Sequence, residues 1–261
     1  MKKKLLLLFT SLIIASTLSG CSNPSKEAAS AQKTSNDKKY VIATDATFAP
    51  FEFQKDGKYI GIDLDILDAV SKIEGFKYEL NPMDFKGIIP ALQSNQIDGA
   101  IAGMSITEER RKVLNFSDDY FESGLSAVAK NDNSQLKTIY DLKGKILAVK
   151  KGTAGAKYAE DNKDKSNFTI KYFNDSPSMF QEVKNGNADA TFEDYPVIAY
   201  SITLDPNCGL KIIGDKITKS NYGFAVKKDS NKELLSMFND GLKKIKENGE
   251  YDKIIARYIK K

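Results

Sequence analysis

The chain has 261 residues, 39 of them basic and 35 acidic, and no histidine, which excludes His-assisted nucleophilic catalysis and histidine-bearing metal sites. Its two cysteines, Cys21 and Cys208, are too few for a disulfide framework or a cysteine-rich metal site, so no metal and no cofactor is expected. No basic patch interleaved with aromatics stands out, which argues against nucleic acid as a partner.

Residues 1–20 begin with Lys2–Lys4 and continue into an apolar run short for a membrane span, the layout of a cleaved secretory signal. Without those three lysines the balance is 36 basic against 35 acidic residues, close to neutral. The stretch "LSGC", Leu18 to Cys21, resembles the bacterial lipoprotein signal, which implies cleavage before Cys21 and lipidation of that cysteine. Residues 21–38 are then a small, polar, flexible tether holding a globular unit at the outer face of the cell membrane.

From Tyr40 the pattern is that of a fold. "YVIATD" predicts a short buried strand, and Asp56–Gly57 in "FEFQKDGKYIGID" predicts a hairpin turn. "DLDILDAVSKIEG" has helical apolar spacing at Leu64, Leu67 and Val70, with Gly75 as a stop. "FKYEL" predicts a strand, "GIIPALQSNQ" a helix and "IDGAIAGM" a further strand. This β-α-β-α-β order predicts a parallel sheet with helices packed on it. The chain then enters a dense charge block, Thr107 to Arg111, with acids before bases as a helix start prefers. Taken alone, such a block reads as a solvated helix face.

A second run of the same kind follows. "KILAVKKGTAG" predicts a strand and a glycine-bearing turn, "AKYAEDN" a helix, "FTIKYF" a strand, "SMFQEVKNGN" a helix, "ADATFED" a strand and "YPVIAYSI" a helix. "ALQSNQIDGAIAGMS" and "EVKNGNADATFEDYP" share one order: helix, polar turn, Asp, short strand, polar residues. "YGFAVKKD" predicts a strand, and the last thirty or so residues one or two amphipathic helices. Two α/β runs predict two lobes, residues 39–119 with 223–261 and residues 125–219. They are joined at 120–124 and 220–222. Ligands of open α/β sheets bind beyond the carboxyl ends of the strands, so facing lobes make a cleft. The strand ends would bring to it Asp45, Phe48, Phe85, Ala102, Gly103, Ser105, Arg110, Lys150, Thr153, Glu193 and Asp194.

The motifs "VIATDATFAPFEF", "MDFKGIIPALQ", "AGMSITEERRKVLNFSD", "DLKGKILAVKKGTAG" and "ADATFEDYP" stand in the order and spacing of one family. By them the chain resembles the polar amino-acid-binding receptors of bacterial ABC importers, solute-binding protein family 3, and most of all the glutamine binders. The resemblance spans nearly all of residues 39–261 and implies the type II periplasmic-binding-protein fold. It implies that Arg110 grips the ligand α-carboxylate, helped by amides near Ser105 and Thr153. A planar guanidinium suits that bidentate task, which a lysine could not copy. It further implies that Asp194 takes the α-ammonium, Phe48 and Phe85 hold the aliphatic stem, and Asp45 and Lys150 read the far end of the side chain. The partners implied are an amino acid and a membrane permease, with the receptor as a monomer and not an enzyme.

Two departures matter. Glu193 stands where some glutamine binders have histidine, and Ala154 where some have glycine. With every group ionised, Asp45, Glu193 and Lys150 leave one negative charge beyond the zwitterion's needs, which favours an arginine or lysine ligand. Lys150 opposes that, because a second cation beside it is unfavourable in a closed site. A dehydratase on the same fold is the alternative from another class.

Overall fold

The computed structural model describes residues 38–259. The expected leader, Cys21 and the tether up to residue 37 lie outside the described residues, as do residues 260 and 261.

The first lobe is a five-stranded sheet in the order Lys77–Pro82, Lys39–Thr44, Gly99–Ala100, Ala225–Lys227, Leu114–Phe116. The first three strands are parallel, and Ala225–Lys227 runs antiparallel to both of its neighbours. Helices Ile62–Glu74 and Phe85–Gln93 provide the crossovers. The former ends as expected on Gly75, left-handed at φ 74°, whose N–H donates to the Ser71 carbonyl. The C-terminal stretch makes two helices, Lys232–Glu247 and Glu250–Tyr258, separated at Gly249 (φ 76°). Phe224 and Phe238 stack at 4.4 Å in this lobe's core.

The second lobe repeats the plan with Thr169–Phe173, Ile146–Lys150, Ala190–Asp194, Leu125–Lys130 and Leu210–Ile213. Again the first three strands are parallel, and the fourth is antiparallel to both neighbours. In each lobe that fourth place is filled by the strand that follows a passage between lobes. The two passages, Phe121–Ser123 and Ser220–Tyr222, pair with each other as a small antiparallel sheet. Phe51 sits edge-on to Phe121 and Tyr222, at 4.9 and 5.0 Å, and packs this junction.

The repeated order seen in the sequence has a structural counterpart. Asp98 accepts from the Val41 amide at 2.9 Å and Asp189 from the Ile146 amide at 2.8 Å. Each aspartate thereby ties the strand it precedes, Gly99–Ala100 or Ala190–Asp194, to the start of its neighbour, Lys39–Thr44 or Ile146–Lys150. The expected strand through "IDGAIAGM" is only Gly99–Ala100, because the chain turns at Gly103 (φ 52°). A Cβ on Gly103 would lie 2.5 Å from the Phe48 ring. Strands Leu125–Lys130 and Leu210–Ile213 were not anticipated from the sequence. Cys208 is half-buried and unpaired, and among the described residues no helix is long and apolar enough to cross a membrane.

Candidate functional site

Both sheets direct the carboxyl ends of their parallel strands to one cleft. The register shows how closely the two sides correspond. Ile42 and Ala43 face Gly99 and Ala100 in one lobe, and Leu147 and Ala148 face Ala190 and Thr191 in the other. Counting forward, Asp45 corresponds to Lys150, and Ala102–Gly103 to Glu193–Asp194.

A narrow pocket lies between them. Phe48, Phe85, Ala102, Gly103, Ser105 and Arg110 line it from the first lobe. Lys150, Thr153, Ala154, Glu193 and Asp194 line it from the second, together with Gly155, which the sequence reading did not single out. Gly155 is required by packing, since a Cβ there would meet the Phe192 carbonyl oxygen at 2.3 Å. Asp45 is absent from the wall. It is bonded to the Lys150 ammonium and accepts from Thr47 Oγ1 at 2.9 Å. Both members of that ion pair are buried, and it joins the lobes.

Arg110 comes from the four-residue helix Glu108–Arg111, whose N-cap Thr107 accepts from the Arg110 amide. Glu108, Glu109 and Arg111 are exposed, while Arg110 is 8 % exposed. Its guanidinium donates to the Ser105 carbonyl at 2.8 Å and, across the cleft, to the Gly152 carbonyl at 3.0 Å. Burial lowers its pKa, opposed by the charge of Asp194. Facing it is the start of helix Ala154–Asp161, capped by Thr153, whose hydroxyl accepts from the Ala156 amide. The first amides of a helix lack intrahelical partners and favour an anion. The Phe85 ring lies 5.4 Å from the Arg110 Cζ and 5.7 Å from the Lys150 Nζ, and the Phe48 ring 4.8 Å from the latter.

The acids are held differently. Asp194 accepts from the Tyr222 hydroxyl at 2.5 Å, and that hydroxyl in turn accepts from Ser123 at 3.1 Å. Both partners belong to the strands between lobes. Glu193 accepts from Ser176 at 2.9 Å and from the Asp194 amide at 2.9 Å, one bond on each oxygen. Desolvation raises Asp194 to about 6, and desolvation with the neighbouring Asp194 charge raises Glu193 to about 7. Tyr222 and Ser176 were missed because their partners are 28 and 17 residues away, and a tyrosine in "NYGFAV" reads as core.

The family described as bacterial extracellular solute-binding proteins, family 3, matches residues 40–261. The arginine-binding extracellular protein ArtP of Bacillus subtilis (strain 168) is 34 % identical over 99 % of this chain and 98 % of its own length. An ancestral arginine-binding protein solved with arginine superposes with a TM-score of 0.80 at 42 % identity. Solved with glutamine, an ancestral arginine-binding protein superposes at 0.79, also at 42 % identity. Each covers 85 % of this chain and 98 % of the solved chain.

Proposed function

Because the chain belongs to the bacterial extracellular solute-binding proteins of family 3, we propose that it is a lipid-anchored receptor that closes around a polar L-amino acid, glutamine first, and delivers it to the permease of an ABC importer. Arg110 and the start of helix Ala154–Asp161 take the α-carboxylate, and Asp194, set by Tyr222, takes the α-ammonium. Phe48 and Phe85 flank the aliphatic stem. Cys21 carries the lipid. The strands Phe121–Ser123 and Ser220–Tyr222 are the hinge of a closure of the kind such receptors use.

The observation that carries glutamine is the buried Lys150–Asp45 pair. It cancels one charge of each sign next to the aromatic stem site. Glu193, held up to about 7, is largely protonated below neutral pH and adds little charge there. What remains suits a neutral side chain with an acceptor and a donor at its tip, as glutamine has. Lys150 donates to the amide oxygen, and Glu193 accepts from the NH2 group. Glutamate offers no such donor and is rejected.

Arginine is the second reading. The arginine-named relatives favour it, and so does Glu193, which would ionise beside a guanidinium. Lys150 opposes it by placing a second cation close by. A thermal-shift panel of the twenty L-amino acids on the purified protein tests both. At 100-fold over Kd a ligand stabilises by about 2.7 kcal/mol. Stabilisation by glutamine above all others is expected. Stabilisation by arginine or lysine alone installs the second reading, and dehydration of prephenate or arogenate would install an enzyme.

A further inference from the structure

Two fully buried carboxyl groups, Glu52 and Asp63, lie under the first lobe's side of the cleft. Asp63, the second residue of helix Ile62–Glu74, uses Oδ2 twice. It accepts from the Gly103 amide at 2.7 Å and from the Tyr120 hydroxyl at 2.8 Å. Gly103 is the turn that lines the cavity, and Tyr120 immediately precedes the strand Phe121–Ser123 between lobes. Asp63 Oδ1 and both oxygens of Glu52 are buried without a donor among the described residues.

The two carboxyls are within hydrogen-bonding reach of each other. Orphaned buried acceptors are costly, and two ionised carboxylates in contact cannot both persist in a dry site. One proton removes the charge conflict and partners two of the three orphaned oxygens, leaving a single Glu52 carbonyl oxygen without a donor. Asp63 already receives two donors and keeps its charge, so Glu52 is the group that carries the proton and donates it to Asp63 Oδ1.

We propose that Glu52 and Asp63 hold one proton between them and act as positioning residues, fixing the Gly103 turn of the ligand site and the Tyr120 side chain in a single frame. The inference rests on the reading of the Gly103 turn as part of the ligand site. The surroundings agree with it. Glu52 faces Asp63, Asp45 and Lys150; burial first, then the charges of Asp63 and Asp45, lifts it well above the usual carboxylate range. Asp63 faces Glu52, Tyr120 and, more distantly, Tyr251; burial raises it to about 6 against the pull of its hydrogen bonds. Tyr120 also faces Tyr222, which links the frame to Asp194. Below the range in which Asp63 titrates, a second proton arrives, the charge that holds Gly103 and Tyr120 is lost, and ligand affinity falls.

The test uses Glu52→Gln, whose amide can donate to Asp63 Oδ1 without a titrating proton, and Asp63→Asn. At about pH 8, above the range of Asp63 and Glu193, the infrared spectrum should show a protonated-carboxyl C=O band that Glu52→Gln abolishes. The Gly103 amide proton should titrate with Asp63 in the wild type. It should keep its position in Glu52→Gln at that pH and shift in Asp63→Asn. Glutamine affinity should stay within about threefold in Glu52→Gln and fall roughly tenfold in Asp63→Asn, from the loss of charged hydrogen bonds. An unchanged band in Glu52→Gln, or a Gly103 amide indifferent to pH, overturns the proposal. If Asp63→Asn does not fold, the wild-type Gly103 titration decides. If glutamine binds neither variant nor wild type, the glutamine reading fails while the band and the Gly103 resonance still judge the proton pair.

Discussion

At the end of strand Lys39–Thr44 the first lobe carries Asp45; at the corresponding end of Ile146–Lys150 the second carries Lys150, and the two meet across the cleft. One step along the sheet, the first lobe ends in Ala102–Gly103, and the second in Glu193–Asp194. The scaffold beneath is the same, down to Asp98 and Asp189 bonding equivalent amides. Backbone geometry thus fixes where a strand ends, and the residues placed there decide what that end can bind. The first lobe offers a turn, aromatic rings and, from a short helix, the guanidinium of Arg110. The second offers paired acids and a helix start. On the proposed reading a zwitterion needs one of each, so neither lobe would hold it alone and binding would favour closure.

The largest effect should come from the second lobe. If Asp194 takes the α-ammonium as proposed, Asp194→Ala removes its partner and strands a charge in a dry site, at a cost of about 2–5 kcal/mol in affinity. Calorimetry with glutamine checks it, and unchanged binding would place the ammonium elsewhere. In the first lobe, Arg110→Lys should cost about 1.5–3 kcal/mol, since the charged hydrogen bonds proposed to the carboxylate are lost. The loss should be the same for every amino acid bound. A change in preference would mean that Arg110 also reads side chains.

Lys150→Met tests the cross-lobe pair, and on the proposed opening of the cleft water would reach the unpaired Asp45. Glutamine should weaken and arginine gain, moving their affinity ratio by roughly tenfold, about 1.4 kcal/mol. An unmoved ratio would mean that Lys150 is purely structural.

The last effect concerns pH and the stability of the unliganded protein. Glu193 at about 7, with Asp194 and Asp63 at about 6, binds protons more tightly folded than unfolded. Stability of the unliganded protein therefore falls as pH rises from the ordinary carboxylate range through about 7. The Tm should drop between pH 5.5 and 7.5, the window in which these folded-state groups lose their protons. A rising Tm over that window would mean that these acids are ionised throughout.

Much of this was legible in the sequence because it is written locally. The Asp56–Gly57 turn, Gly75 as a helix stop and the Asp-led strands at Asp98 and Asp189 are each set by neighbours a few residues away. Thr107 as a cap likewise explains why the charge block returns Arg110 to the cleft while its neighbours stay in solvent. Asp63 shows what was not legible. It stands in an acidic first turn where nothing local signals burial, and its partners lie 40 and 57 residues on. Tyr222 gains its role from Asp194 and Ser123 on other elements. The strands "LSAVAK" and "LKII" are short apolar runs flanked by turn residues, and over so few positions periodicity could not separate them from buried helix or loop.

Competitive calorimetry of glutamine, arginine and glutamate, on the wild type and on Glu193→Gln, tests most directly that two unlike strand ends close on a neutral side chain. Glutamine should bind tightest to the wild type and survive Glu193→Gln with a modest loss, glutamate should bind poorly to both, and arginine should trail glutamine throughout. Arginine binding more tightly than glutamine to the wild type, and collapsing with Glu193→Gln, would contradict the account and make the cleft a receptor for cationic side chains.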